Sequence, residues 1–303
     1  MTLVHILIHI IGPVFLIMGC GYALEKRFNL DIRTLSKLNF YIFVPSLVFV
    51  KLSQTSLPLG HMKWVALFTL CMVGTLFIVS LLLSRLRRHT RSMSRAFSLS
   101  LMFYNSGNFG LPVIDLAFPM GGAAIQAVVL ATQNMLMFSV GLFLATNGRY
   151  PAQRALLNIL RYPPVYAVTL ALIVHEVGWS VWSPVSVVLN YFAQGLVPVA
   201  LVTLGMQLAK VSLKQNIPDV GLASFCRLAL SPCLAFGLIK LMGLSGMLAQ
   251  ALLVSTSVPT AVNTVLLAIE LDNEPEYAAS AVFLSTLLSA LSVSVVIYLA
   301  RMI

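Results

Sequence analysis

Two clusters of small, polar and helix-breaking residues interrupt otherwise apolar stretches of the sequence. The first is NSGNFGLP, from Asn105 to Pro112, and the second is STSVPTAVN, from Ser255 to Asn263. A proline inside a helix removes a backbone donor and clashes with the preceding turn, so each cluster predicts a broken helix. At membrane depth such backbone is tolerated only where it lies against protein or lines a water-filled cavity. The two breaks are therefore the first candidates for chemistry.

Half-helices that meet at a break can bind a polar ligand. Backbone N–H groups at the start of a half-helix favour an anion, and free carbonyls at the end of another favour a cation. The residues we expect to bind substrate are Asn105, Ser106, Asn108, Gly110, Pro112, Asn134, Ser257, Pro259 and Asn263. The alternative is that glycine and proline only kink the helices for packing, and that the hydroxyls satisfy their own helix backbone.

Polar side chains inside the apolar stretches are candidates for binding a coupling ion. Asp115 follows Pro112 by three residues and can bind a proton or a sodium ion, with an interfacial carboxylate as the alternative. Gln133 lies inside an apolar stretch and Thr256 lies in the second cluster, so we expect these three residues to bind H+ or Na+. Arg227 can neutralise a carboxylate ligand or extend to the membrane surface.

Motifs of metal-dependent and hydrolytic enzymes do not occur in the sequence. His5 and His9 are four residues apart, as metal ligands on one helix face can be, but no third ligand lies nearby. The four cysteines form no CxxC pair, and no HExxH, GxSxG or Walker motif is present. We expect no metal site, no cofactor and no enzyme activity.

The composition places almost the whole chain in a lipid bilayer. Of 303 residues, 59% are hydrophobic and 9% are charged, whereas about 25% of the residues of a soluble protein are charged. The net charge of +10 comes largely from short loops between apolar stretches. This pattern indicates loops held at an anionic membrane surface and argues against nucleic acid as a partner.

The apolar runs predict an all-α integral membrane protein with ten transmembrane helices. The expected spans are residues 3–23, 35–53, 64–84, 95–118, 122–146, 155–177, 185–209, 219–242, 246–269 and 277–301. Fourteen of the nineteen Lys and Arg residues fall on the side of the loops after spans 1, 3, 5, 7 and 9. Because basic loops stay in the cytoplasm, we expect a multi-pass inner (cytoplasmic) membrane protein with both termini on the extracytoplasmic side.

The two halves of the chain carry matching features. Pro112 and Pro259 lie 147 positions apart, and the sequence LNFY at 38–41 is matched by LNYF at 189–192. We therefore expect two five-helix repeats, divided between residues 150 and 151. Since five is an odd number, the second repeat must be inverted in the membrane, an architecture typical of alternating-access transporters.

The segment NSGNFGLPVIDLAFPMGGAAIQAVVLATQNMLMFSVGLFLA, from Asn105 to Ala145, resembles the signature of the auxin efflux carrier family. In that family an Asn-to-Gly-x-Pro break is followed by a short loop and a span with a central Asn. The segment from Ser255 to Val293 looks like the family's second crossover and final span. The resemblance covers essentially the whole chain, which lacks the long middle loop of many plant members and so resembles a short prokaryotic type.

The resemblance implies the inverted-repeat fold of plant auxin exporters and, more distantly, of bile-acid sodium symporters. It also implies that helices 4 and 9 cross at Pro112 and Pro259 with substrate beside them, and that Asn105 and Asn134 carry the family's Asn positions. Bacterial members are linked to organic acids such as malonate or malate. Asp115 departs from the apolar residues expected after the motif, so the family's substrate and coupling mode do not carry over directly to this chain.

Together these features predict a secondary active transporter for a small organic anion, such as a mono- or dicarboxylate or an auxin-like acid. Helices 3–5 and 8–10 are expected to form the transport (crossover) domain, and helices 1–2 and 6–7 a scaffold that can also mediate a homodimer. The alternative is a channel-like or ligand-sensing membrane protein without coupled transport. A membrane-embedded enzyme would need a buried acid–base or nucleophile pair, which the sequence does not offer.

Overall fold

The structure, a computed structural model, describes residues 2–55, 58–146, 163–211 and 216–303. Within these ranges every regular element is a helix, and a single β-bridge joins the two helix breaks. The helices are α1 (Leu3–Phe28), α2 (Ile32–Ser53), α3 (Leu59–Leu86), α4a (Arg91–Met102), α4b (Leu111–Ala117), α5 (Gly122–Ala145), α6 (Pro163–Val177), α7 (Ser183–Ala209), α8 (Ile217–Leu241), α9a (Gly246–Thr256), α9b (Asn263–Glu270) and α10 (Pro275–Ala300).

Seven of the described helices are long and apolar enough to cross a membrane: α1, α2, α3, α5, α7, α8 and α10. Helices α6 and α9a are apolar but shorter. Most helices extend past their expected spans by a few residues, as where α1 continues to Phe28, because a transmembrane helix does not have to end with its apolar core. The start of the sixth expected span, the boundary at residues 150 and 151, and the basic residues Arg149, Arg154, Arg161 and Lys214 lie outside the described residues.

Both breaks predicted from the sequence are present. Helix α4a ends at Met102, and a wide π-helical turn over Ser106–Gly110 leads into α4b. Helix α9a ends at Thr256, and α9b begins at Asn263. The chain between the halves of α9 has no regular helical structure, as the cluster around Pro259 predicts.

Wide turns precede four of the prolines inside the described helices. They are Leu7–Ile11 before Pro13, Asn39–Phe43 before Pro45, Ser106–Gly110 before Pro112, and Cys226–Leu230 before Pro232. A proline ring cannot donate a backbone hydrogen bond and pushes against the carbonyl four residues earlier, so the preceding turn opens. Such turns often lie at functional sites, and two of these four supply residues to the cavity described below.

Glycine allows the backbones of α1 and α7 to touch. A Cβ atom on Gly21 would lie 2.1 Å from the carbonyl oxygen of Val202, and one on Gly205 would lie 1.9 Å from that of Met18. Close approach through small residues is how membrane helices associate when lipid offers no hydrophobic driving force. Helix α2 packs against α7, and α6 packs against α2.

The breaks lie within the main apolar core of the described residues. Tyr104, Phe109 and Val258 belong to the largest buried apolar cluster, which also takes residues from α1, α3, α5 and α10. Helix α9a packs against α5, α8 and α10, and α3 packs against α4a and α5. The non-helical backbone is therefore enclosed by protein, as membrane depth requires.

Candidate functional site

The two helix breaks cross and hydrogen-bond to each other. The backbone N–H of Asn105 donates to the carbonyl of Pro259 at 2.8 Å, and the N–H of Ala261 donates to the carbonyl of Phe103 at 3.0 Å. Tyr104 and Thr260 thereby form an antiparallel bridge. Each break supplies partners for backbone groups that the other cannot satisfy within its own helix, which removes the cost of burying them.

A backbone carbonyl of α4a and a side chain of α10 fix the second break. The hydroxyl of Thr260 donates to the carbonyl of Ser100 at 3.1 Å, and the backbone N–H of Thr260 donates to the hydroxyl of Ser285 at 3.2 Å. All three residues are buried. Thr260 therefore positions the crossing point, although our sequence-based set of site residues omits it.

The first break is capped by its own asparagine. The Asn105 Oδ1 accepts from the backbone N–H of Asn108 at 3.1 Å, and the Asn105 carbonyl accepts from the N–H of Gly110 at 2.7 Å. Gln126 on α5 donates through Nε2 to the carbonyl of Ser106 at 2.7 Å. A Cβ atom on Gly110 would lie 2.7 Å from that same Nε2, so glycine is required for the close approach of Gln126.

A cavity with a volume of about 90 Å³ lies beside the crossing point. It is bounded by α2, both breaks, α5 and α7. Its lining residues are Ser36, Asn39, Phe40, Val44, Tyr104, Asn105, Ser106, Gly107, Asn108, Leu130, Gln133, Asn134, Met137, Gln207, Ala261, Val262, Asn263 and Leu266. None of these described lining residues carries a formal charge, so polarity comes from amides, hydroxyls and backbone.

Several buried polar atoms of the cavity lining have no protein partner. Both amide atoms of Asn39 and of Gln133 are unpaired, as are Asn105 Nδ2, the Gln207 Oε1 and the Tyr104 hydroxyl. Asn39, Asn105 and Gln133 are each at most 5% exposed. Leaving a buried polar group unpaired costs about 1–3 kcal/mol. A cluster of such groups around one cavity is what a binding site for a polar ligand requires.

The cavity also faces the starts of the two second half-helices. The first N–H groups of a helix have no partner within it and carry a partial positive charge. Gly107 lies in the first turn leading to α4b, where the N–H groups of Asn108 and Gly110 already donate to Asn105, and Asn263 begins α9b. Together with side-chain amide donors, this arrangement can hold a carboxylate without a charged side chain in contact.

The predicted substrate-binding residues divide into two groups. Asn105, Ser106, Asn108, Asn134 and Asn263 line the cavity. Gly110, Pro112, Ser257 and Pro259 lie at the breaks without lining it; for example, the Ser257 hydroxyl donates to the carbonyl of Val254 at 2.7 Å. The binding roles of both groups stay predictions. For the second group, the structure shows only contacts within the breaks themselves.

The three residues predicted to bind a coupling ion are separated in space. Gln133 lines the cavity. The Thr256 hydroxyl donates to the carbonyl of Leu253 within α9a. Asp115, in the last turn of α4b, forms an ion pair with Lys51 of α2 at 3.1 Å, and each side chain is 36% exposed. The three residues do not form a single ion site in this structure.

Among the amide side chains that line the cavity, the sequence-based set omits two, Asn39 and Gln207. A signal for Asn39 was present, because it lies in the LNFY sequence that the second half repeats as LNYF. The matching residue, Asn190, donates through Nδ2 to the carbonyl of Ser186 in its own helix at 2.7 Å. The internal repeat marks both Asn39 and Asn190, but it does not show which of these two side chains faces the cavity.

Arg227 neither reaches the membrane surface nor lines the cavity. It is fully buried, and its guanidinium donates to the carbonyl of Leu101 at 2.6 Å, to the carbonyl of Thr256 and to the hydroxyl of Ser231. It also stacks on the Tyr104 ring, with 4.9 Å from Cζ to the ring centroid. Of the two alternatives considered from the sequence, extension to the membrane surface is wrong, because Arg227 ties α8 to the crossing point.

Comparisons with known proteins agree with this architecture. The chain is 28% identical over 286 residues to an "Uncharacterized transporter" of Methanothermobacter thermautotrophicus, covering 92% of this chain and 93% of that protein. It is 26% identical over 304 residues to a "Putative malonate transporter" of Rhizobium meliloti, covering 95% and 94%. The family described as "Membrane transport protein" matches twice, at residues 6–154 and 149–297. The chain therefore belongs to this membrane transport protein family, the auxin efflux carrier family, as its sequence motifs indicated.

Proposed function

We propose that this membrane transport protein is a secondary active transporter for a small carboxylate. The observation that carries the proposal is the cavity at the crossing of the two broken helices, lined by buried amide atoms without protein partners. A ligand that accepts hydrogen bonds would pair these donors, and each hydrogen bond to a charged ligand contributes about 1.5–3 kcal/mol.

A mono- or dicarboxylate suits the cavity better than an auxin-like acid. Its volume of about 90 Å³ is well below the roughly 300–1,000 Å³ of pockets that hold drug-sized ligands. A dicarboxylate the size of malonate presents four acceptor oxygens to the unpaired donors of Asn39, Asn105 and Gln133. The relative from Rhizobium meliloti carries malonate in its name, so malonate is the first ligand to test.

We propose that the chain crosses the inner membrane ten times as two inverted five-helix repeats. Seven long helices, the shorter α6 and the interrupted α4 and α9 supply ten helical units among the described residues. The two matches to one family support the repeat. Five units in each repeat require inversion, and the basic loops support extracytoplasmic termini.

The placement of the cavity and of the Lys51–Asp115 ion pair supports a proposal of alternating access. Ser36 and Lys51 lie near opposite ends of α2, about 22 Å apart along the helix at 1.5 Å per residue. The cavity contains Ser36, on the side assigned to the cytoplasm by the basic loops, whereas Lys51 pairs with Asp115 near the opposite end. We propose an inward-facing state in which this pair closes the extracytoplasmic side between a scaffold (α1, α2, α6, α7) and a transport domain (α3–α5, α8–α10).

Coupling and assembly are also part of the proposal. Asp115 is the acidic group through which a proton gradient could act, because its protonation would release Lys51.

The exposed apolar face of α7, which includes Val187, Val188 and Tyr191, is available to lipid or to a second copy in a homodimer. Mass measurement of the purified protein in detergent tests the dimer.

Uptake of radiolabelled malonate into proteoliposomes tests the site. Asn39→Ala should reduce counterflow strongly, since it removes both unpaired amide atoms. Asn190→Ala is the matched control, because this amide bonds within its own helix and should leave counterflow near the wild-type rate. Equal effects of the two substitutions would remove Asn39 from the site, and unchanged transport in Asn105→Ala plus Pro112→Ala would reject the crossing point as the site.

The rival function is a channel or ligand sensor without coupled transport. A channel passes its solute without saturation and without acceleration by solute on the other side. Counterflow that saturates with malonate would exclude a simple pore, whereas unitary current steps in a planar bilayer would support a channel.

A further inference from the structure

Arg227 joins the ends of both first half-helices with one side chain. Its guanidinium donates to the carbonyl of Leu101, one residue before the end of α4a, and to the carbonyl of Thr256, the last residue of α9a. The Ser231 hydroxyl accepts from Arg227 and donates to the same Thr256 carbonyl at 2.9 Å. The three contacts fix α8 to both halves of the crossing.

These carbonyls lie where a crossing of broken helices attracts a cation. The C-terminal end of a helix carries a partial negative charge, and the free carbonyls of half-helices coordinate Na+ in transporters of this general architecture. Here two such ends converge on one position, and a guanidinium fills it. Arginine stays charged at physiological pH and cannot leave the protein.

No acidic side chain offsets this charge within the part of the chain that the structure describes. The four ion pairs there involve Asp115, Asp219 and Glu25, and none includes Arg227. What surrounds the guanidinium is two helix ends, one hydroxyl and the face of the Tyr104 ring. Tyr104 in turn lines the cavity. The positive electrostatic potential of Arg227 therefore extends toward the cavity, although the Arg227 side chain does not line it.

We propose that Arg227 is a built-in cation that takes the place of a coupling sodium ion at the crossing of the two broken helices. It holds the two half-helix ends together and makes the crossing positive whether or not Na+ is present. Carboxylate binding is then independent of Na+. The link to carboxylate binding rests on the proposed function, but the occupation of a cation position does not.

Thermal unfolding of the purified full-length protein tests the proposal without transport. The melting temperature of the wild type should be the same in NaCl, KCl and choline chloride at equal ionic strength. Arg227→Ala should lower it and should regain at least about 2 °C when methylguanidinium or Na+ occupies the vacated position. Uncharged methylurea should give no recovery. A wild-type melting temperature that rises specifically with Na+ would overturn the proposal.

Two further variants separate charge from packing. Arg227→Lys keeps the charge and should retain most of the stability and of malonate counterflow, whereas Arg227→Met fills similar space without charge and should lose both. Arg301→Met is the matched control, since Arg301 also donates to a helix-end carbonyl, that of Ala117 at 2.9 Å, and stacks on Phe118, but outside the crossing. It should leave counterflow nearly unchanged.

The outcomes distinguish this inference from the proposed function. If Arg227→Ala does not fold, the salt series on the wild type and the comparison of Arg227→Lys with Arg227→Met decide the question. Equal behaviour of the Lys and Met variants would overturn the role of the charge. Suppose that no carboxylate shows counterflow, while the melting temperature of the wild type is the same in NaCl, KCl and choline chloride. This result would contradict the proposed function but would leave Arg227 as a built-in cation.

Discussion

Gln133 offers a way to separate a binding amide from a structural one. Its side chain is 2% exposed, both of its amide atoms lack a partner, and it lines the cavity. Gln126, seven residues earlier on α5, is fully buried and donates through Nε2 to the Ser106 carbonyl, while its Oε1 has no partner. Leucine has a similar size but no polar atoms, so the same substitution at the two positions removes a different interaction in each case.

The expected stability changes differ. An unpaired buried amide costs about 1–3 kcal/mol, so Gln133→Leu should stabilise the ligand-free protein by roughly that amount. Gln126→Leu leaves the Ser106 carbonyl without a partner but also removes the unpaired Gln126 Oε1, so its net effect should lie between neutral and about 3 kcal/mol destabilising. At about 2–4 °C per kcal/mol, Gln133→Leu should melt at least about 2 °C above Gln126→Leu.

Ligand binding should change in only one of the two. Loss of a hydrogen bond to a carboxylate costs about 1.5–3 kcal/mol, which corresponds to roughly 10–150-fold weaker binding. The stabilisation of Gln133→Leu by malonate should therefore disappear at concentrations that stabilise the wild type. If Gln133→Leu is destabilised like Gln126→Leu and keeps the wild-type response to malonate, the reasoning from unpaired amides is refuted.

Three further predictions concern closure, packing and coupling. Asp115→Asn should change the melting temperature little, because an ion pair whose side chains are 36% exposed contributes about 0–1 kcal/mol. It should increase labelling by an impermeant maleimide, up to about fivefold, of a single cysteine that replaces Ala124, which lines a cavity together with Lys51. An unchanged labelling rate would show that the Lys51–Asp115 pair does not close that side. Gly205→Ala should lower the melting temperature strongly, because its Cβ would lie 1.9 Å from a carbonyl oxygen. Gly237→Ala has no neighbour within 4 Å and should be neutral or slightly stabilising in the same unfolding assay. Equal effects of the two substitutions would contradict the packing of α1 against α7. A protonophore should abolish concentrative uptake but leave counterflow intact, and strict dependence of uptake on Na+ would contradict coupling through Asp115.

The breaks and their meeting were largely predictable from the sequence. Proline and glycine act locally, so Pro112 and Pro259 determine where helices 4 and 9 are interrupted. That the breaks meet followed from the resemblance to a family and from their matching positions in the two halves. The bridge between Tyr104 and Thr260 confirms the contact.

The partners of individual polar residues were not predictable, because they depend on how distant helices rotate against each other. Asp115 and Lys51 are 64 residues apart, and Arg227 and Leu101 are 126 apart. Asn39 and Asn190 occupy matching sequence positions, yet one faces a cavity and the other bonds to its own helix. Such differences arise from packing geometry, which a hydrophobic pattern does not specify.

The central claim is that a small carboxylate is carried through the site where the two broken helices cross. Counterflow of radiolabelled malonate in proteoliposomes containing the purified protein measures this most directly. We predict saturable uptake that is accelerated by unlabelled malonate inside the vesicles, that is strongly reduced in Asn39→Ala and that is retained in Asn190→Ala. Uptake of malonate and related carboxylates at the rate of protein-free liposomes, or uptake that is neither saturable nor accelerated from the opposite side, would contradict it.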